Sequence, residues 1–178
     1  MNDVKSGDDE ELSARDRFLV LLRHGLAEEK SEDKEDEDRS LTPEGHARMK
    51  QIGRGLERAF PKAQAIYSSP LLRAVQTALW VSKGYRSRIK VNTTDALIPG
   101  ATYEEFQQFL AGIPERRVVI VGHEPNLSDN LTELIGLAGH EIELKKGGCY
   151  GVRLKTEGGA VLEWLLSPRI LRRLAEGE

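Results

Sequence analysis

An α/β fold is predicted, as a single-domain three-layer α/β/α sandwich with a mostly parallel central sheet of about six strands. Two observations in the 178-residue sequence carry that expectation. Apolar runs at residues 18–22 and 118–121, and the mostly apolar stretch at 63–67, end at polar or glycine residues ahead of segments with helical periodicity, as strands buried on both faces of a sheet do. Later, residues 147–155 and 160–166 flank Thr156-Glu-Gly-Gly159, a hairpin signal. The length suffices for one domain with a core and is short for two.

In chain order, residues 1–16 are polar and acidic and are expected to form a disordered tail, leaving a domain over residues 17–178. The first strand delivers Arg23, His24 and Gly25 to the carboxyl edge of the sheet, where open α/β sheets bind ligands. Arg23 offers a planar fork of donors for phosphate or carboxylate, and His24 can serve as nucleophile or general base near neutral pH. Gly25 lets the backbone turn sharply beside a ligand. Residues 28–40 are crowded with acids and read as a solvated surface loop beside the site mouth. Thr42 and Pro43 then open a helix as N-cap and first residue, with Met49, Ile52, Leu56 and Phe60 as its core stripe. His46 lies off that stripe and is expected to be exposed.

The second strand runs into a helix with Ser69 as N-cap, Pro70 as first residue and Arg73 in the first turn. Leu72, Val75, Leu79 and Val81 are expected inward, with Trp80 partly buried. A short strand follows at residues 90–94, a loop at 95–100, and a helix at 101–113 with Phe106, Phe109, Leu110 and Ile113 on one face. The strand at residues 117–121 stops at Gly122-His123-Glu124-Pro125, and the proline opens a helix striped with Leu127, Leu131, Leu134 and Ile135. Two arginines and two histidines thus arrive at one edge from three strand ends. His140 reads as an exposed loop residue, Cys149 as strand packing, and Pro168 as the start of a basic, solvated helix.

Composition narrows the function classes. With one cysteine, the chain has no internal disulfide and no Cys-rich zinc site, which fits a reducing cytoplasm. No run approaches the roughly 18 apolar residues of a membrane span, and no basic-then-apolar leader opens the chain, so a cytoplasmic protein is expected. Residues 1–40 hold 14 acidic and 7 basic side chains, leaving the rest of the chain net basic. No basic stripe interleaved with aromatics points to nucleic acid. Two histidines without a matching carboxylate or cysteine spacing make a poor zinc site, so neither metal nor other cofactor is expected.

The sets Leu22-Arg23-His24-Gly25, Leu41-Thr-Pro-Glu-Gly45, Ser69-Pro-Leu-Leu-Arg73 with Gln76-Thr77-Ala78, and Val121-Gly122-His123-Glu124-Pro125-Asn126 resemble, in order and approximate spacing, the motifs of the histidine phosphatase superfamily. The resemblance runs from about residue 18 to the end. Only about fifty residues separate Arg73 from His123, with no large inserted cap, so the chain is most similar to the SixA-type phosphohistidine phosphatases. The resemblance implies that His24 attacks phosphorus and carries a transient phosphoryl group, while Arg23, Arg73 and His123 hold the equatorial oxygens. It also implies that Glu124 stands where the acid phosphatase branch carries its acid. A helix N-terminal glutamate complementing the dipole is the other reading of Glu124.

The glutamate that the mutase branch places just after a leucine is missing, because Leu97 is followed by Ile98 and Pro99. Asp95, Glu104 and Glu105 are weaker substitutes. An imidazole leaving group, with an unperturbed pKa of about 6.5, needs less protonation than an alkoxide. The expected partner is therefore a phosphorylated histidine-containing protein or a small phosphorylated substrate, met by a monomer without nucleic acid or membrane. A small-molecule phosphomonoesterase and a phospho-ligand binding module remain as alternatives.

Overall fold

The computed structural model describes residues 16–137 and 142–177. His140 and residues 1–15 lie outside them. Six strands form one sheet in the order β3-β2-β4-β1-β5-β6, with β1 at Arg17–Arg23, β2 at Ala65–Ser68, β3 at Val91–Thr93, β4 at Arg117–Gly122, β5 at Cys149–Leu154 and β6 at Ala160–Leu166. Pairings β3–β2, β2–β4 and β4–β1 are parallel, whereas β1–β5 and β5–β6 are antiparallel. The sheet is therefore mostly parallel, with the hairpin added at one side.

Five helices cover both faces. They are α1 at Pro43–Ala59, α2 at Leu72–Gly84, α3 at Tyr103–Gly112, α4 at Asn126–Ile135 and α5 at Pro168–Glu176. Period-two alternation explains the two cores. Val20, Leu22, Val119 and Val121 point to the side of α1, α2 and α5. Leu19, Leu21, Val118 and Ile120 point to α3 and α4, against Phe106, Leu110, Leu127 and Leu131. Strands buried on both faces can carry the continuous apolar runs seen in the sequence. Thr42 caps α1 by accepting from the Gly45 amide, and Thr102 with Glu105 forms a capping box on α3. The box ties up Glu105, and Glu104 accepts from Gln108, so neither is available as a catalytic acid; Asp95 lies exposed in a 3₁₀ turn.

Several helix faces differ from expectation. On α2 the buried residues are Arg73, Ala74, Thr77, Ala78 and Val81, while Leu72 and Leu79 are exposed. The reason is the close approach of α1. A Cβ on Gly53 would sit 2.4 Å from the Trp80 carbonyl oxygen, and one on Gly84 would sit 2.3 Å from the Gly53 backbone. Only small side chains fit that contact, so alanines turn inward and leucines outward. His46 is half-buried rather than exposed, because its Nδ1 accepts the indole N–H of Trp80 at 2.9 Å. The terminal helix is docked rather than free on all sides, with Leu171 fully buried against α1. Asp16, assigned to the tail from sequence, is buried and bonded to Arg153 (2.9 Å) and the Thr156 amide (2.9 Å), which pins the hairpin turn.

Cys149 is fully buried on β5, opposite Leu22 of β1, and burial pushes its thiol pKa far up. Among the described residues, no helix is long and apolar enough to cross a membrane.

The α1–α5 contact gives a direct test. A Cβ on Gly55 would lie 1.8 Å from the Leu171 carbonyl oxygen, a backbone atom that cannot step aside. Gly55→Val is expected to destabilise the protein by about 2–3 kcal/mol or more, read as a lower urea midpoint, whereas Gly112→Ala, with open space around it, should stay close to wild type.

Candidate active site

Three strand ends build the site. The parallel register pairs Arg23 with Gly122, and the His24 amide donates to the Gly122 carbonyl at 3.0 Å. His24 and His123 are thereby brought to 5.0 Å between ring centroids. The Ser69 amide donates to the Val121 carbonyl, which docks the end of β2 beside His123. Helix α2 begins only at Leu72, not at Pro70, so Ser69 is not its cap. The Ser69 hydroxyl instead meets His123 Nε2 at 2.9 Å.

His24 is oriented by its own turn. Nδ1–H of His24 donates to the Gly25 carbonyl at 2.8 Å, which leaves Nε2 with a free lone pair. The Gly25 amide in turn donates to Thr77 Oγ1 (3.0 Å), and that hydroxyl donates to the Arg73 carbonyl (2.7 Å). One threonine therefore locks the His24 loop to the helix that carries Arg73. When Ser69 donates to His123 Nε2, the His123 hydrogen sits on Nδ1, which is buried and has no partner.

Both guanidinium groups are gripped from outside. Arg23 Nη1 donates to the Leu144 carbonyl and to Glu143 Oε1 (3.1 Å). Arg73 Nη1 donates to the Asp36 carbonyl (2.6 Å), and Nη2 to the Asp36 carboxylate (2.9 Å). Arg39 also pairs with Asp36 (2.8 Å) and holds the Glu28 carbonyl at 2.6 Å, strapping the acidic segment down. In each arginine the Nε–H is buried and unpartnered. The described residues hold four such orphaned side-chain atoms, and three belong here: Arg23 Nε, Arg73 Nε and His123 Nδ1. Buried polar atoms without partners are rare in folded proteins, so three gathered beside His24 mark the place of a ligand, and the two arginine Nε–H groups suit it to an anion.

Burial controls protonation. It pushes His24 down to about 4, the bond to Gly25 working against it and Arg73 and Arg23 adding to it. Burial, then the neighbouring His24 and Arg73, puts His123 at about 3. Both imidazoles are thus neutral near pH 7, as a nucleophile must be. Glu124 is raised above the ordinary carboxylate range by burial, although bonds from Ser128 and the Leu144 amide (3.1 Å) pull back. It borders a cavity of about 490 Å³ shared with Arg23 and Glu143.

A neutral imidazole facing two clamped guanidinium groups at the carboxyl edge of a mostly parallel sheet has the chemistry to hold a phosphoryl group. Comparison with known proteins supplies the family. A model of the histidine phosphatase superfamily (branch 1) matches residues 19–99. An uncharacterised protein of Picosynechococcus sp. is 32% identical over 139 residues, 76% of this chain and 84% of that protein. The chain belongs to the histidine phosphatase superfamily.

Solved structures share the fold. The protein histidine phosphatase SixA complexed with tungstate superposes with a TM-score of 0.74 at 22% identity, covering 86% of this chain and 99% of that one. A mycobacterial glucosyl-3-phosphoglycerate phosphatase gives 0.69 at 18%, over 86% and 100% of the two chains. Phosphoglycerate mutase from Plasmodium falciparum gives 0.63 at 18%, over 84% and 89%.

Arg23, His24, Arg73 and His123 converge as expected, and Glu124 stands beside Arg23. Asp36, Ser69 and the Glu143-Leu144 pair were not legible as site residues. The segment holding Asp36 was expected to be solvated, and most of it is exposed, yet this one aspartate turns inward to Arg73. Nothing in a run of eight acids distinguishes it beforehand.

Two outcomes follow. Between about pH 6.5 and 4 the unfolded chain takes up protons that folded His24 and His123 refuse, so stability falls as pH drops through that window. Urea midpoints at pH 7 and pH 5 without phosphate should differ in that direction, by up to about 1.4 kcal/mol per pH unit per histidine, and His123→Gln should flatten the slope. If Asp36 holds Arg73 in place, Asp36→Ala lowers kcat on p-nitrophenyl phosphate about tenfold, while Asp36→Asn, which keeps an acceptor for Nη2, recovers most of it. An unchanged kcat in the alanine variant would show that the carboxylate merely competes with phosphate.

Proposed function

We propose that this phosphatase hydrolyses phosphohistidine on a protein partner through a covalent phosphohistidine on its own His24. The observation that carries the reading is the pair of orphaned arginine Nε–H donors, with the unpartnered His123 Nδ1, around a neutral imidazole. In the first step His24 Nε2 attacks phosphorus in line, a new N–P bond forms, and the N–P bond to the leaving imidazole breaks. Arg23 Nε, Arg73 Nε and His123 Nδ1 receive the three equatorial oxygens, where fixed donors act more strongly than in water. Water then cleaves the phosphoryl group from His24 and releases phosphate.

The leaving group decides between substrates. Glu124 accepts the Leu144 amide, an arrangement that favours its ionised form, while burial favours the acid. Such a group gives limited acid help, enough for an imidazole and little for an alkoxide. The site also lacks the acid after Leu97, since Ile98 and Pro99 follow. The raised Glu124 beside a cavity of about 490 Å³ favours a second reading, a small-molecule phosphomonoesterase.

Phosphate release from a phosphohistidine protein and from an alkyl phosphate ester such as β-glycerophosphate, whose alkoxide must be protonated as it leaves, measured side by side, separates the two. His24→Ala is expected to abolish both activities. Glu124→Gln should reduce ester turnover at least about tenfold and phosphohistidine turnover less than about threefold. Faster turnover of the ester by the wild type would favour the phosphomonoesterase.

A further inference from the structure

The phosphoryl cradle is cationic, but the ground on either side of it is not. The cavity of about 490 Å³ meets the cradle at Arg23 and is lined by three carboxylates, Glu124, Asp129 and Glu143, with Arg23 already paired to Glu143. A second hollow of about 360 Å³ reaches the turn that carries Arg73. Its floor is Pro70, Leu71, Leu72 and Val75, and its wall is Glu37 and Asp38. Leu72 is 37% exposed there, a large aliphatic surface left open beside a catalytic arginine. Among the described residues, no cation lines this second hollow. Nearby cations serve other places: Lys146 acts on His24, and Lys30 and Lys34 pair with Asp36 and Glu28.

Charge of one sign around a low-dielectric cleft selects its complement. A substrate whose leaving portion carries further phosphates or carboxylates would place them against these acids. A chain with lysine or arginine beside the phosphorylated residue would gain on both sides, and an aliphatic neighbour would cover the Leu71-Leu72-Val75 floor. Two separate hollows flanking one small cradle also suit a chain that continues past the phosphorylated residue in both directions. We propose that the site takes its phosphoryl group from a basic protein segment, with Lys or Arg flanking the phosphorylated residue and an aliphatic side chain seated on the groove between Asp38 and Leu72. This rests on the phosphoprotein reading above and adds the sequence character of the partner.

The test uses two synthetic phosphohistidine peptides of equal length, one with Lys flanks and a nearby leucine, the other with Glu flanks and alanine, and phosphoramidate as a small reference. The basic peptide is expected to show a kcat/KM at least about tenfold higher at low salt, the ratio shrinking as ionic strength rises. The double variant Glu37→Lys/Asp38→Lys should bring the ratio towards one, and Leu72→Asp should weaken only the basic peptide. Both variants should hydrolyse phosphoramidate within about twofold of wild type. Equal kcat/KM for the two peptides, a preference for the acidic one, or a preference untouched by the charge reversal would overturn the proposal. If only O-phosphate esters are hydrolysed, the phosphohistidine reading fails by itself. The same pair of peptides carrying phosphoserine then decides the charge preference by the same criteria.

Discussion

The hydrogen bond from the His24 amide to the Gly122 carbonyl fixes the register on which everything at the sheet edge depends. It is the last rung of the parallel β1–β4 ladder, and it sets the two imidazoles 5.0 Å apart. A slip of one residue would turn each strand's inner and outer side chains to the opposite cores. That slip is opposed by two fully packed layers, with Leu19 and Leu21 facing one and Val20 and Leu22 facing the other. The geometry of the site is thus a by-product of core packing, and the rigid elements that hold it lie outside the pocket itself.

Charge is arranged in shells. Innermost is an imidazole kept neutral by burial. Around it stand two guanidinium groups, each with its terminal nitrogens held by a backbone carbonyl and a carboxylate, Arg23 through Nη1 alone and Arg73 through Nη1 and Nη2, and each with its Nε left for a ligand. Outside those lie the acids of residues 28–38 and of the Glu143 strand-side loop. A buried arginine requires partners to offset its desolvation, and taking them from distant segments, Asp36 for Arg73 and Glu143 for Arg23, joins the loops to the cradle. Loop and site therefore fold as one unit.

Much of this was legible from sequence because it rests on local signals. Apolar runs ending at Arg23, Ser68 and Gly122 mark the parallel strands, and Thr42-Pro43 and Pro168 start helices as expected, with side-chain caps from Thr42 and Ser167. What escaped depends on contacts across the fold. The inward face of α2 is chosen by Gly53 and Gly84, which admit alanine and exclude leucine, and no periodicity within α2 reports on them. Ser69 before a proline has the local signature of a cap, yet the Val121 carbonyl holds its backbone so that its hydroxyl serves His123. Asp36 among its acidic neighbours is singled out only by the position of Arg73.

Cys149 sits under this edge, opposite Leu22 and one position from Arg23, fully buried and held in the thiol form. A thiol so placed is neither nucleophilic nor reachable. Oxidants and alkylating reagents gain access to it only in molecules that have already opened, so labelling of Cys149 counts unfolded chains. The protein carries its own reporter of global opening, built into the strand beside the one that ends at His24.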